Sequence, residues 1–409
     1  MRFVPLRTAC LLLAVAPAAA EPASPLANSG EVWAGFRGDG TSRSPAREVP
    51  AQWSDKKNIA WRASLAGYGQ SSPVVWKGRV YTTSKEGEAG EALLVHCHDL
   101  GDGKLLWKYS HPASRAIKPS GYVSQAAPTP TVDADALYCF WETGDIVSLD
   151  HDGKLRWKRN LALVHGQFQG NHGVGTSLIQ SSDSLCLLVD HAGPSYLLRI
   201  DKTTAKDTWK ADRPQRVSWS TPTLAGGTLY ISSNGVAEAY DFKTGKRLWQ
   251  GADLQGNTVA SPTLAGERVL VGSSVRGQSL GLSVADGSVL FRPGEETTSS
   301  FGSPLVAEGF AYYVNRAGIV FCHEAATGRK LWHQRIGGSC WASPVAAGAR
   351  VYFFTKEGRA TVLDGKGSET VVAENTLSLD GRLYGVAVVD GRILVRTGSE
   401  LICIAELSP

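Results

Sequence analysis

The sequence predicts an all-β fold: an eight-bladed β-propeller of four-stranded antiparallel blades. Three observations predict it. A phrase recurs along the chain, running from a Ser/Thr-Pro start through apolar runs to an acidic residue, a Gly turn and a Trp. It reads Ser72-Pro73 to Asp99, Gly103 and Trp107, then Thr221-Pro222 to Asp241, Gly245 and Trp249, then Ser303-Pro304 to Glu324, Gly328 and Trp332. The unit starts fall at Pro73, Pro128, Ser177, Pro222, Pro262, Pro304, Pro344 and Ala387, a period of about forty residues once the early loops are discounted. Within each unit, runs of β-branched and aromatic residues are bounded by turn residues. Nothing sustains a 3.6-residue apolar period, so long helices are not expected.

From the amino end, Arg2 and Arg7 precede the apolar stretch Ala9–Val15 and the small residues Ala18-Ala19-Ala20. That is the pattern of a cleavable signal peptide over 1–20, which predicts export to the periplasm or beyond. Cys10 follows Arg7-Thr8-Ala9, a poor lipoprotein signal. Residues 21–31 read as a flexible leader and 32–409 as the propeller domain. The eighth unit supplies Gly385–Val389, Ile393–Arg396 and Leu401–Ile404, one strand short. Asn58-Ile59-Ala60-Trp61 resembles an outer strand with its Trp, so strand 58–62 is expected to close the ring with 385–405. Such closure removes two open sheet edges at once.

Inner strands can start with Pro because one edge faces the channel and needs no amide donor. Glycine stands four residues before the closing aromatic at Gly103, Gly153, Gly245, Gly287 and Gly328, where a tight hairpin needs positive φ. The third unit has Ala205 there, so its turn is expected to differ. Trp107, Trp157, Trp209, Trp249, Phe291 and Trp332 are expected to wedge between neighbouring blades.

Composition excludes several classes. The 409 residues carry a formal net charge of +4, with no basic run of nucleic-acid type and no acidic tail. Beyond the first twenty residues no run is long enough to span a membrane. A monomer is expected. Cys97, Cys139, Cys186, Cys322, Cys340 and Cys403 occupy repeated strand positions, which marks them as small core hydrophobes. Cys139 with Cys186 is the pair worth testing for a disulfide. No Cys-x-x-Cys pair, Gly-x-Ser-x-Gly or phosphate loop occurs.

Asp241-Phe242-Lys243-Thr244-Gly245-Lys246-Arg247-Leu248-Trp249 and Ala326-Thr327-Gly328-Arg329-Lys330-Leu331-Trp332 resemble the docking motif of the pyrroloquinoline-quinone (PQQ) repeat family. Trp33, Phe36-Arg37-Gly38 and Trp53-Ser54 are similar to the start of one exported bacterial branch. The resemblance implies one of two activities. Quinoprotein dehydrogenases hold PQQ and calcium over the channel and use a catalytic Asp. A non-catalytic group, typified by the barrel-assembly factor BamB, binds partner proteins in the envelope. Adjacent cysteines of the alcohol-oxidising members are missing here, and Asp190-His191 and Asn171-His172 match a calcium set by residue type only. No cofactor, no catalytic residue and no metal site is therefore expected.

The expectation is a binding or scaffold protein of the cell envelope. Quinone-dependent oxidation and carbohydrate binding are the alternatives. The residue three places before each inner-strand start should stand at the channel mouth: Gln70, Gln125, Val174, Trp219, Val259, Phe301, Trp341 and Tyr384. The aromatic half of that ring, beside two amides, suits a protein segment or peptide, a sugar or a planar ligand. The same aromatics could instead plug the channel. Two long inter-blade loops add Arg115 and Lys118, then His165, Asn171 and His172. His96 and His98 share one face of a third strand and read as structural.

Overall fold

The computed structural model describes residues 27–117, 125–170, 172–251 and 253–407. The segment read as a signal peptide lies outside them. The described chain forms eight antiparallel blades, each counted from the channel outwards. Blade 4 shows the plan: Thr223–Ala225, Thr228–Ser233, Val236–Asp241 and Arg247–Gln250 pair in succession. The middle two strands of each blade bury nearly every side chain. The only helix among the described residues is the single turn Leu161–His165.

The ring closes as the sequence predicts. Ile59–Ser64 is the outermost strand of blade 8, antiparallel to Glu400–Ile404, with Ile59 opposite Ile404 and Ser64 opposite Glu400. Six closing indoles tie their blades to the next. The indole Nε1 of Trp61 donates to Leu100 O (3.0 Å), Trp107 to His151 O (2.9 Å), Trp157 to Lys202 O (2.8 Å), Trp209 to Phe242 O (3.0 Å), Trp249 to Val284 O (2.9 Å) and Trp332 to Gly367 O (2.7 Å).

The turn glycines have a second reason beyond φ. A Cβ on Gly245 would lie 2.7 Å from the Trp209 ring, and one on Gly287 2.4 Å from Trp249. The indole of one blade therefore rests on the bare backbone of the next. Ala205 departs from expectation. It takes φ 58° and donates its amide to Asp201 O at 2.9 Å. Gly245 donates to Asp241 O at 2.8 Å in the same way. The turn is thus the same one, held in an alanine by Asp201, whose Oδ1 also accepts from Thr204 N (2.7 Å).

Two blade starts shift. A belt of hydrogen bonds circles the channel, in which a Ser or Thr hydroxyl accepts the amide of the corresponding residue one blade earlier. Ser72 N donates to Thr129 Oγ1, Thr129 N to Ser177 Oγ and Ser177 N to Thr221 Oγ1, each at 3.0 Å. Thr221 N donates to Ser261 Oγ (2.9 Å), Ser261 N to Ser303 Oγ and Ser303 N to Ser343 Oγ (both 3.0 Å). The residue after each belt member is the unit start, one place before the inner strand in blades 1 to 7, so unit 2 starts at Pro130, not Pro128, and unit 3 at Leu178, not Ser177. In blade 8 the belt position is Val386, which has no hydroxyl, so the belt is open at the seam.

The segment before the closing strand lies within the channel. Val32–Trp33 pairs with the inner strand Val74–Trp76 of blade 1. Ala34 O accepts from Thr131 Oγ1 and Val132 N of blade 2, both at 2.9 Å. Arg37 reaches blades 5 and 6, and Arg43–Ser44 runs parallel to Val345–Ala347 of blade 7. This segment bridges the inner strands and gives the channel a floor.

Candidate functional site

Above that floor lies a cavity of about 430 Å³. Its wall follows from the repeat. Three residues before each inner-strand start, in the corrected register, stand Gln70, Ala127, Gly175, Trp219, Val259, Phe301, Trp341 and Tyr384, and all eight line it. The blade-2 correction replaces Gln125 by Ala127. Gln125 is instead held against Gln70: its amide donates to Gln70 Oε1 (3.1 Å), and Gln70 N donates to Gln125 O (3.0 Å). In blade 3, Gly175 takes the place read for Val174, which is buried in an apolar cluster with Leu178 and Phe168.

The aromatic members are only half-buried. They pack edge to edge around the wall without filling the opening. Phe301 and Trp341 have ring centroids 5.5 Å apart, Trp341 and Tyr384 5.7 Å, and Tyr68 closes the arc at 6.1 Å from Tyr384 with a hydroxyl–hydroxyl hydrogen bond. Across the ring, Trp219 is fixed by its indole Nε1 donating to Gly173 O (3.0 Å). The His172 ring lies 5.8 Å from it and joins the lining. Phe36, Arg37 and Ser42 form the floor.

The remaining loop candidates divide. Arg115 Nη1 donates to Gln167 Oε1 (3.1 Å) and Phe168 O (3.2 Å), which ties the two long loops together. His165 is drawn away from the cavity: its Nε2 lies 3.0 Å from Asp207 Oδ2 and its ring 5.2 Å from Tyr196. Lys118 and Asn171 lie outside the described residues. Arg37 and the floor were the residues that pattern reading missed. The signal for the shifted start of blade 2 was present, because Thr129-Pro130 repeats the Ser/Thr-Pro phrase where Pro128 does not.

Several buried charged groups outside the cavity are committed to structure. Asp190 pairs with the buried Arg213 (3.3 Å), which also bonds Glu238 and Tyr240 Oη. His191 Nδ1 accepts from Gln169 N (3.0 Å) and Gly193 N (2.9 Å). Glu142 pairs with Lys85 (2.9 Å) and accepts from Ala126 N (3.1 Å). Burial raises the Glu142 carboxyl and Lys85 opposes it. Cys97, Cys139, Cys186, Cys322, Cys340 and Cys403 are buried free thiols.

The donor set tests the quinone reading. Calcium takes six to eight oxygen ligands, carboxylates foremost, and quinoprotein chemistry also needs a carboxylate base. Among the described residues no Asp or Glu lines the cavity. Among the described residues no three His, Cys, Asp or Glu side chains gather to hold a metal. The lining does not fit a calcium–quinone pair.

An eight-bladed propeller of such blades is the quinoprotein superfamily fold. The chain belongs to the PQQ-like repeat family whose model is described as "Outer membrane protein assembly factor BamB", matched over residues 29–186 and 169–371. It is 25% identical over 297 residues to the outer membrane protein assembly factor BamB of Bordetella pertussis, covering 67% of each chain. The Moranella endobia protein of the same name is 23% identical over 283 residues, 65% of this chain and 67% of its own. Among solved structures, BamB from Moraxella catarrhalis superposes with a TM-score of 0.62 at 18% identity, covering 84% of this chain and 98% of that one. A europium-containing methanol dehydrogenase superposes at 0.70 with 13% identity, covering 92% and 98%. The solved structures share the fold with this chain.

Proposed function

We propose that this chain is an exported, non-catalytic propeller that acts as a binding scaffold in the bacterial envelope, within the assembly of outer-membrane proteins. The observation that carries the reading is the cavity itself: half-buried aromatics around an open mouth, with no Asp or Glu among the described residues that line it. A rigid rim of aromatics loses little conformational entropy on binding and presents large apolar faces, which suits protein recognition. Family membership and the two curated relatives named above support the same reading. The rim residues Gln70, Trp219, Phe301, Trp341 and Tyr384 are the proposed contacts, with Arg115 and His172 on the flanking loops.

The test is complementation. A strain lacking the chain should show lowered outer-membrane protein levels, restored by the wild type. Trp219→Ala with Trp341→Ala should fail to restore them while folding and accumulating normally. Normal restoration by that double variant would remove the rim from the function. Unchanged outer-membrane protein levels in the deletion strain would overturn the assembly reading itself.

A further inference from the structure

The seam where the ring closes buries two imidazoles without partners. His96 and His98 alternate with Cys97 on the third strand of blade 1, Ala92–Asp99. Val95 and Cys97 pack towards blade 2, in a cluster with Val132 and Cys139. The two histidines therefore face blade 8, as does Val80, which stands opposite His98 and shares a cluster with Leu394 and Cys403. Both are almost wholly buried, at 1% and 2% exposure. Their ring centroids lie 6.2 Å apart. Nδ1 and Nε2 of His96, Nδ1 of His98 and Oγ1 of Thr82, which stands opposite His96, have no hydrogen-bond partner. Among the described residues these are the only fully buried histidine nitrogens left unpartnered. His323 in blade 6 is the contrast: buried alike, it bonds Thr297 Oγ1 (3.0 Å) and Gly328 O (3.1 Å).

Among the described residues the charges acting on this pair are all positive. Arg396 of blade 8 reaches across the seam to Ser71 Oγ (3.2 Å), Thr83 O (2.8 Å) and Ser84 Oγ (3.2 Å), and its Nε donates to Thr397 O (3.0 Å). All four acceptors are neutral. Arg396 acts on both imidazoles, and the exposed Lys108, opposite His96 on the fourth strand, adds to it. From blade 8, Cys403 shares the facing layer with Trp61, whose ring rests on Gly103. Burial pushes that thiol up to about 12, so it carries no charge. Burial likewise raises the Tyr68 hydroxyl beside Arg396. Burial first, then Arg396, holds His96 at about 3 and His98 at about 4, below the usual 6.5. The seam is also where the hydroxyl belt is open, at Val386, and where a paired strand rather than the continuous chain joins blade 8 to blade 1.

We propose that the ring is built to open in acid at this seam. Protonation sets His96 and His98 against each other and against Arg396, and blade 8 parts from blade 1 ahead of the rest of the molecule. Opening brings both imidazoles to water, where they regain their ordinary affinity for protons. The closed seam refuses protons that the open one accepts below pH 6.5. Closure is therefore complete above pH 6.5 and weakens as pH falls towards 4. At pH 5 each released imidazole favours the open form about thirtyfold, and the pair about a thousandfold. The backbone set free is the closing strand Ile59–Ser64 and its partner Glu400–Ile404. This device goes beyond the scaffold role and stands without it.

Hydrogen exchange of the full chain at pH 7 and pH 5, corrected for the intrinsic rate, tests the proposal. Peptides covering residues 59–64, 92–99 and 400–404 should lose at least about tenfold in protection at pH 5. The blade 4 strands Thr228–Ser233 and Val236–Asp241 should change by less than about threefold. Equal loss in blade 4, or none at the seam, would overturn the proposal. His96→Gln with His98→Gln keeps polar side chains but removes the titration, so the seam should stay protected at pH 5. A loss there as large as in the wild type would also overturn it. Should that double variant fail to fold, Lys108→Glu alters only an exposed side chain. It places a carboxylate opposite His96 and should reduce the loss at pH 5 at least about threefold. An undiminished loss in Lys108→Glu would defeat the role of the histidines. His323→Gln should leave the seam response in place, and its disappearance there would assign the response to blade 6 instead.

Discussion

At the scale of single residues, the docking of indole on glycine makes a sharp prediction. Gly245→Ala should destabilise by about 2–4 kcal/mol, combining a left-handed alanine with an overlap on the Trp209 ring. Ala205→Gly, in the equivalent turn, should be neutral or stabilising by up to about 1 kcal/mol, since a left-handed alanine is relieved. Urea denaturation of both variants checks the pair. The sequence announced the glycines but not this contact, because spacing reports the turn and not what the preceding blade lays on it. Arg37 was invisible for a related reason. Apart from Ser42, its partners are 225 to 267 residues away, and no local pattern marks a side chain whose acceptors belong to other blades. Arg396 behaves alike in blade 8, donating to Ser71 Oγ (3.2 Å) and Thr83 O (2.8 Å) of blade 1.

At the scale of elements, the closing strand is where pattern reading worked best. A six-residue strand ending an incomplete unit has one place to go, and Ile59–Ser64 goes there. Trp61→Ala should lower stability by about 3–5 kcal/mol through lost burial and the lost bond to Leu100 O. The result expected is a shifted thermal midpoint with the same secondary-structure spectrum. The floor was the opposite case. Val32–Trp33 and Arg43–Ser44 are two-residue strands, shorter than any periodicity can register. The displaced start of blade 2 shows how a period-two strand conceals an error of two. Pro128 and Pro130 present the same alternation, and the Thr before Pro130, whose hydroxyl joins the belt, separates them.

At the scale of the whole molecule, stability should depend on pH in a defined direction. Burial first, then Arg396, holds His96 at about 3 and His98 at about 4, and burial holds His323 at about 4, all below the usual 6.5. Their folded values are depressed, so the unfolded chain takes up protons that the folded chain refuses. Stability is therefore complete above pH 6.5 and declines as pH falls from there towards 4. By about pH 5.5 each should cost about 1 kcal/mol. Thermal melts between neutral and mildly acidic buffer should show the decline, and His96→Phe should flatten it. Mixing the protein with PQQ and calcium should give no dye-linked dehydrogenase turnover, since the cavity offers no carboxylate for the metal or for a base.

Sealing the circle with Ile59–Ser64 on Glu400–Ile404 also sets an order of events. Until residue 404 has been made, the nascent chain must leave Ile59–Ser64 unmatched and its last blade unfinished. Bringing together segments separated by most of the polypeptide is entropically slow. Half-finished molecules would meanwhile expose adhesive edges to each other. Refolding from denaturant should accordingly finish with a slow phase that a chain permuted to carry residues 58–64 after position 404 no longer shows.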